Sequence, residues 1–372
     1  MNSIPAATDA GGDVRTIAFY LPQFHPVPDN DEWWGKGFTE WRNVAKAKPL
    51  FPGHYQPHLP ADLGYYDLRV PETRERQAEL AREYGIHGFC YYHYWFNGKR
   101  LLDRPFAEVL ASGKPDLPFC LCWANENWTR RWDGQDQEVL ARQIYSPEDD
   151  LDHIRSLIPA FKDPRYIRVE GKPLFLVYRV NSLPQPAETA EIWRREAVAA
   201  GLPGLYLCVV SSLPELHFDA TQIGFDAAID FQPDWGRMPH PSHSLRRKLR
   251  CLLKPDHPEC VNTIRHYPFF AQRMMDRPER PYKEFPGVLV GWDNSARRKS
   301  GAIIFKGSDP ETYGRWLRQT VNQARRTLSG DERLVFINAW NEWAEGNHLE
   351  PDMKWGRRYM EATREALEST DE

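Results

Sequence analysis

Eight short apolar runs, separated by segments with helical patterning, constrain the fold more than any other feature of the sequence. They lie at 16–21, 88–94, 118–124, 173–178, 205–210, 227–231, 287–292 and 334–339. Nearly continuous apolar runs are typical of parallel strands that are buried on both faces. Their alternation with helical segments predicts an α/β protein with a (β/α)8 TIM barrel, whose size range admits 372 residues with insertions.

The segments between the runs carry helix start and stop signals. Ser146 followed by Pro147 predicts a capped helix that runs to about Phe161. Other helical segments are predicted at 72–84, 186–200, 313–328 and 354–366, and the first two end directly before a glycine. A doubly wound open sheet is the alternative, but no G-x-G-x-x-G follows the first run.

The domain organisation predicted from these elements is a single catalytic barrel at 14–372 after a flexible N-terminal tail at 1–13. Insertions are expected at about 23–70 and 233–285. The first follows the first strand, is rich in aromatic residues, and is predicted to act as a lid or binding loop. Because the chain has 14 Trp, 16 Tyr and 18 Phe, we expect ring surfaces for stacking on a ligand.

Charge and cysteine usage narrow the possible partners and location. A net charge of −4 gives no general attraction to nucleic acid. The N-terminal segment lacks the pattern of a secretory signal, and no apolar run is long enough to span a bilayer. Cysteines 90, 120, 122 and 208 lie in predicted strands, so we expect buried thiols and a cytoplasmic location.

A basic segment at 243–254 places leucines at helical spacing among five basic residues. Such a helix can lie on a membrane surface. An amphipathic helix packed on the barrel is the interpretation that we prefer.

The predicted binding residues follow from the barrel, because catalysis in this fold occurs at the C-terminal ends of the strands. The side chains there mix tryptophans with amides, imidazoles and charged groups, which suits the apolar faces and hydroxyl rims of sugars. The candidate substrate-binding residues are Tyr20, Gln23, His25, Trp41, His93, Tyr94, Trp95, Trp123, Asn125, Glu126, Trp128, Arg179, Asp230, Gln232, Trp235, Trp292, Asp293, Arg297, Trp340, Asn341 and Trp343.

Glu342 and Glu345 are the predicted catalytic residues, because they follow the last strand three residues apart. On one helical turn, side chains at this spacing share a face, so the two carboxyl groups should titrate differently. Glycosidic-bond chemistry needs such a difference: an acid for the leaving oxygen and a base or nucleophile opposite. Two glutamates that merely solvate a turn are the alternative, but the flanking Trp340 and Trp343 do not suit it.

Four long motifs occur in order: F-Y-L-P-Q-F-H-P at 19–26, G-F-T-E-W at 37–41, W-A-N-E-N-W at 123–128 and W-N-E-W-A-E-G at 340–346. Together they resemble the WbsX family, which is associated with bacterial lipopolysaccharide O-antigen and capsule biosynthesis and often described as glycosyltransferases. The resemblance spans about Thr16 to Met360. The last motif also resembles the catalytic motif of the endo-α-mannosidases of glycoside hydrolase family 99, which are retaining (β/α)8 enzymes.

The resemblance to these mannosidases implies a role for each glutamate. Glu345 would be the acid/base, and Glu342 would polarise the sugar 2-hydroxyl, so that the substrate supplies its own nucleophile through an anhydro-sugar intermediate. Ala344 departs from the histidine of the mannosidases, which leaves the sugar specificity open. Direct attack by a carboxylate, with the pair roughly 5–5.5 Å apart, is an alternative.

The sequence leaves two other functions open. A nucleotide-sugar-dependent glycosyltransferase would often hold a metal on an Asp-x-Asp pair, and such pairs occur at 29–31 and 150–152, neither at a strand end. A non-catalytic barrel that binds oligosaccharide is the other. We expect an oligosaccharide or polysaccharide substrate, no cofactor, and no metal, because the histidines show no tight ligand spacing.

Overall fold

The computed structural model describes residues 14–130, 135–238 and 245–369. The predicted tail at 1–13 and the start of the basic segment, 243–244, lie outside the described residues. The barrel is built from strands Arg15–Tyr20, Gly88–Phe96, Phe119–Trp123, Lys172–Val177, Tyr206–Ser211, Ala227–Asp230, Glu284–Phe285, Gly287–Leu289 and Leu334–Asn338. All eight predicted strands are therefore present.

The strands pair in parallel around a ring. Each of the first six pairs with its sequence neighbour, and Ile17 lies opposite both Gly88 of the second strand and Phe336 of the last. The seventh strand is split at Pro286: Phe285 pairs with Ile229, whereas Gly287 pairs with Phe336. The two halves close the sheet, and the (β/α)8 TIM barrel is confirmed.

Helices surround the barrel. The longer ones are Pro71–Glu83, Arg104–Ser112, Pro147–Phe161, Pro186–Ala199, Leu245–Leu253, Tyr267–Met275, Pro310–Thr327 and Arg358–Glu368, and shorter ones are Pro28–Trp34, Trp41–Lys46 and Pro258–Val261. Ser146 caps its helix by accepting a hydrogen bond from the Asp149 N–H, as the sequence predicts. The helix predicted to start at Tyr313 begins three residues earlier, because Asp309 caps it and Pro310 occupies its first turn.

Short strand pairs lie outside the barrel. The pairs are Lys99–Leu101 with the second barrel strand, Trp128–Arg130 with Gln135–Ala141, Arg168–Val169 with the fourth barrel strand, Thr263–His266 with Ile303–Lys306, and Asn341–Glu342 with Asn347–His348. The last pair carries one of the two predicted catalytic glutamates.

The sequence predicts the state of four of the six cysteines but not that of the other two. Cysteines 90, 120, 122 and 208 are buried thiols, as predicted. Cys251 and Cys260 form a disulfide bond that was not predicted. Disulfides persist in oxidising compartments, so this pair gives no support to a reducing location. No helix in the described ranges is long and apolar enough to cross a membrane.

Helix Leu245–Leu253 was expected to pack its leucines on the barrel, but the three described leucines do not. Leu249, Leu252 and Leu253 are 59%, 79% and 72% exposed. Packing on the barrel is therefore wrong for these side chains, because most of their surface is exposed to solvent. Contact with a membrane surface stays a prediction.

Candidate active site

A cleft of about 280 Å³ opens at the C-terminal ends of the barrel strands. Its lining combines aromatic rings with amide and charged groups: Leu21, Gln23, Asn30, Trp34, Tyr92, Tyr94, Ala124, Glu126, Asn127, Trp128, Thr129, Leu140, Tyr178, Phe231, Trp292, Arg297, Asn338, Glu342 and Glu345. Both predicted catalytic glutamates therefore face the same cavity.

Arg297 lies between the two glutamates and joins them. Its guanidinium nitrogens are 3.1 Å from Glu342 Oε2 and 2.6 Å from Glu345 Oε1. A third carboxylate, Glu40 of the first insertion, lies 3.0 Å from the same guanidinium. Three carboxylates thus surround one permanent cation, and their full ionisation would place more negative charge in this buried site than that cation balances.

The pKa values of the pair are raised by this environment. Burial raises the pKa of Glu342 to about 8; Arg297 opposes the shift, and Glu345 adds to it. Burial also raises the pKa of Glu345, again against the effect of Arg297. Buried carboxylates that share one cation hold a proton more readily than free glutamates do.

The backbone fixes the positions of the pair. Asn341 and Glu342 form a short antiparallel pair with Asn347 and His348. The residues between them form one turn of 3-10 helix, Trp343–Glu345, which agrees with the single turn expected from the sequence. Gly346 ends that turn with φ of +56°, a left-handed conformation that favours glycine.

Side chains of the same segment anchor this turn to the barrel. The Asn341 amide accepts from Leu21 N–H at 2.7 Å and donates to Leu21 C=O at 3.0 Å. The Trp343 indole donates to Glu350 Oε2 at 2.6 Å. Glu350 also accepts hydrogen bonds from Tyr66 and Gln77, so a buried hydrogen-bond network stabilises the turn.

Several buried polar atoms in the cleft lack a hydrogen-bond partner within the described ranges. They are both side-chain polar atoms of Asn30, the indole nitrogen of Trp292 and the side-chain oxygen of Asn338. An unsatisfied buried polar group costs free energy, and native structures contain few of them. These four atoms in one aromatic-walled cleft are groups that a polar ligand could satisfy.

Eight of the predicted site residues are brought together in the cleft. They are Gln23, Tyr94, Glu126, Trp128, Trp292, Arg297, Glu342 and Glu345. Two further predicted residues border the cleft. Arg179 Nε donates a hydrogen bond to Glu126 Oε1 at 2.9 Å, and Trp235 packs edge-on against Trp292 with ring centroids 5.3 Å apart. Arg297 lines the cleft and forms ion pairs with Glu40, Glu342 and Glu345, and its contact with a sugar stays a prediction.

Strand alternation explains three predicted residues that lie away from the cleft. Tyr20, His93 and Trp95 point outward from the barrel. Tyr20 donates to Gln77, whereas both His93 and Trp95 stack on His153 of the helix behind the second strand. Since successive side chains of a strand point to opposite faces, the inward positions belong to their neighbours. The expectation that these residues line the cleft is wrong.

The other predicted residues that lie elsewhere are buried in the frame around the cleft. His25, Trp41, Trp123, Trp340 and Trp343 are buried, and the four tryptophans belong to the hydrophobic core. Asn125 Oδ1 accepts from the Arg179 N–H that follows the fourth barrel strand, and Gln232 Oε1 accepts from the Asp234 N–H within its own loop. Asp230 pairs with Arg277 at 2.6 Å and Asp293 with His54 at 2.6 Å, and Asn341 is bonded to Leu21. The amide and carboxylate side chains among them hold neighbouring loops in place through these hydrogen bonds and ion pairs.

Several cleft residues were not among the predicted substrate-binding residues. Tyr92, Tyr178 and Phe231 line the cleft from the strand ends, and Asn30 and Trp34 line it from the first insertion. Alternation along the second strand was the available signal, because Tyr92 shares its face with Tyr94. No local signal marks Asn30, which reaches the cleft through the tertiary fold of the insertion.

The raised pKa values predict a pH-dependent stability. A carboxyl whose pKa is higher when folded than when unfolded stabilises the fold fully below about 4.5, and this contribution is lost as the pH rises through about 8. The free energy of unfolding should therefore fall across this range, and less steeply in Glu342→Gln. Urea unfolding at a series of pH values measures it, with the exposed Glu79→Gln as control. Equal slopes in wild type and Glu342→Gln would contradict the prediction.

A family model described as Glycosyltransferase WbsX matches residues 16–363. The chain belongs to the WbsX family. Two curated relatives, each described as uncharacterized protein WxcX, come from Xanthomonas campestris pv. campestris strains B100 and ATCC 33913. Each is 47% identical over 351 residues, a match that covers 94% of this chain and 49% of the relative. This WbsX family chain thus spans about half the length of the curated relatives it matches.

Solved structures with the same fold include glycoside hydrolases. One described as a glycoside hydrolase-like protein has a TM-score of 0.60 at 13% identity, covering 100% of this chain and 98% of that chain. The family 99 endo-α-mannosidase from Bacteroides thetaiotaomicron, in complex with bis-tris-propane, has a TM-score of 0.55 at 14% identity, covering 95% and 96%. At these identities the similarity establishes a shared fold for this WbsX family member.

Proposed function

We propose that this protein is a retaining glycoside hydrolase, or a transglycosidase of the same chemistry, that acts on a bacterial surface glycan. One observation carries the proposal: Glu342 and Glu345 face a single aromatic-walled cleft and share the guanidinium of Arg297. The fold of the glycoside hydrolase neighbours and membership of the WbsX family support glycan processing.

In the proposed mechanism Glu345 protonates the oxygen of the leaving sugar while Glu342 removes the proton of the 2-hydroxyl. The 2-oxygen then forms a bond to the anomeric carbon as the bond to the leaving oxygen breaks, which gives a 1,2-anhydro sugar. Water opens this ring at the anomeric carbon with Glu345 as base, and the 2-oxygen recovers its proton from Glu342. Two inversions leave the anomeric configuration unchanged.

The proton must reach the right carboxyl for these roles. In the free protein, burial favours a proton on Glu342, whose pKa is about 8. Glu345 is the more exposed of the two, with 18% of its side chain accessible against 8% for Glu342. The proposed roles therefore require the shared proton to reside on Glu345 once the sugar is bound. A direct carboxylate nucleophile is the alternative within the same class.

The cleft wall supports a sugar ligand in particular. Trp128, Trp292 and Tyr94 offer ring surfaces to the apolar face of a pyranose, and Trp128 packs edge-on against Tyr94 at 4.9 Å. The amide of Asn30 and the oxygen of Asn338, which have no hydrogen-bond partner in the described part of the chain, offer a donor and acceptors for hydroxyl groups.

A glycosyltransferase is the second candidate, because the family model carries that description. Its expected Asp-x-Asp pairs lie within helices, at 29–31 and at 150–152. Asp29 pairs with Lys99, and Asp150 accepts a hydrogen bond from Thr189 at 2.6 Å. These contacts engage one carboxylate of each pair with a protein partner, which disfavours a metal on either pair.

A paired assay separates the candidates. Purified protein is incubated with aryl glycosides and bacterial surface polysaccharides, and separately titrated with nucleotide diphospho-sugars with and without Mn²⁺. We expect new reducing ends without any donor, and no saturable donor binding. Tight donor binding with sugar transfer would replace hydrolysis by the second candidate, and glycan binding without turnover would make the protein a non-catalytic binding barrel.

A further inference from the structure

A second cavity of about 170 Å³ lies beside the cleft, with Trp292 as a shared wall. It is formed between the first insertion and the segment that follows the catalytic turn. His58, His348 and Asp352 line it together, and all three are buried. None of them has a role in the proposed hydrolysis.

The potential ligand atoms of these three residues lie at metal-ligand spacing. All lie within 4.8 Å of one another. His58 Nδ1 is 2.9 Å from His348 Nε2, and His348 Nε2 is 3.9 Å from Asp352 Oδ2. Two ligands of a tetrahedral Zn²⁺ lie about 3.4 Å apart, given bonds of about 2.1 Å. The distance from His58 Nδ1 to His348 Nε2 is shorter than this ligand–ligand distance, and the distance from His348 Nε2 to Asp352 Oδ2 is longer.

His348 is also held in the orientation that a metal ligand needs. Its Nδ1 donates to the Glu350 carbonyl at 2.9 Å, which leaves the lone pair of Nε2 directed at His58 and Asp352. Its ring stacks on Trp343 with centroids 3.7 Å apart. Metal-bound histidines commonly donate their other ring nitrogen to a carbonyl or carboxylate in this way.

We propose that His58, His348 and Asp352 bind a divalent transition metal ion, with Zn²⁺ as the representative probe. Two imidazole nitrogens and one carboxylate oxygen form a ligand set that such ions prefer, and the cavity supplies an open fourth position. Burial disfavours protonated imidazoles, so both rings offer lone pairs. To bind, His58 transfers its ring proton from Nδ1 to Nε2, and the carboxylate keeps its hydrogen bond from Tyr55.

The metal would brace the catalytic turn. His348 lies opposite Asn341 in the short antiparallel strand pair, and Asn341 directly precedes Glu342 in the sequence. His58 belongs to the first insertion, whose His54 and Gln56 also hold Asp293, and the Asp293 N–H donates to the Glu345 carbonyl. A metal at this site would therefore cross-link the insertion to the segment that carries both glutamates. The site itself does not depend on the proposed hydrolytic activity.

The competing explanation is a hydrogen-bonded histidine pair that binds no metal. Lys354, whose amine lies 4.5 Å from the ring centres of Tyr55 and Trp355 on the same wall, adds a positive charge that works against a cation. Its removal in Lys354→Met should strengthen metal binding if the site is real. If the histidine pair binds no metal, Lys354→Met would not increase zinc binding.

The test uses the 372-residue chain without a histidine tag, stripped with a chelator and titrated with Zn²⁺ by calorimetry. We expect one ion per chain and a rise in Tm on binding. His58→Gln and Asp352→Asn should each weaken binding about tenfold or more, whereas His54→Gln, in the same cavity, should not. Co²⁺ absorption of a tetrahedral site gives a second readout. No saturable binding, or equal affinity in all three variants, would overturn the proposal.

Discussion

Glu345→Gln should lose hydrolysis of an unactivated oligosaccharide by about 10²–10⁴-fold, with the fold retained. The amide is isosteric but cannot protonate the leaving oxygen. Turnover is measured by reducing-end release at saturating substrate. Glu79→Gln, an exposed glutamate on helix Pro71–Glu83, serves as the control and should retain full activity. Undiminished turnover in Glu345→Gln would remove this residue from the chemistry.

The leaving group tests which glutamate is the acid. An aryl leaving group with a low pKa needs little protonation, so Glu345→Gln should recover much of its rate on such a substrate. Glu342→Gln should remain slow on both substrates, because formation of the anhydro sugar still requires its base. The opposite pattern would assign the acid role to Glu342, the residue on which burial favours the proton in the free protein.

Arg297→Met should destabilise the fold by roughly 3–5 kcal/mol, the cost of breaking a buried ion pair. Glu40, Glu342 and Glu345 would lose their shared cation, and only 11% of the arginine side chain is exposed. Because Arg297 lowers the pKa of both catalytic candidates, its removal should also move the acid limb of the pH–rate profile upward.

Urea unfolding and the pH dependence of kcat/KM measure both effects of the arginine substitution. Arg76→Met is the matched control, because Arg76 forms a more exposed ion pair with Glu79 on a surface helix. That variant should change stability little. An Arg297→Met protein with wild-type stability and an unshifted profile would contradict the proposed clamp.

The fold was largely predictable because its signals are local. Strands buried on both faces read as apolar runs, and the helix after Ser146 carries its own cap and proline. The split of the seventh strand at Pro286 was not predicted, since it depends on which neighbours pair with each half. The exposed leucines of helix Leu245–Leu253 show the same limit: amphipathic spacing does not say whether a partner surface is present.

The candidate site was predictable only in part, because it is assembled across long sequence separations. The spacing of Glu342 and Glu345 and the tryptophans that flank them indicate these two residues in the sequence. Their clamp joins Glu40 to Arg297 across 257 positions, and no local pattern reveals that contact. His93 and Trp95 were assigned to the cleft in error, because position at a strand end was considered without the alternation of faces.

The stereochemistry of cleavage tests the central claim most directly. Proton NMR can follow the anomeric signals of a cleaved oligosaccharide from the first turnovers, before mutarotation mixes them, in the absence of any nucleotide sugar. A retaining pair in this cleft predicts that the newly released sugar first appears with the anomeric configuration of the bond that was cut. First appearance of the opposite anomer, or no release without an activated donor, would contradict it.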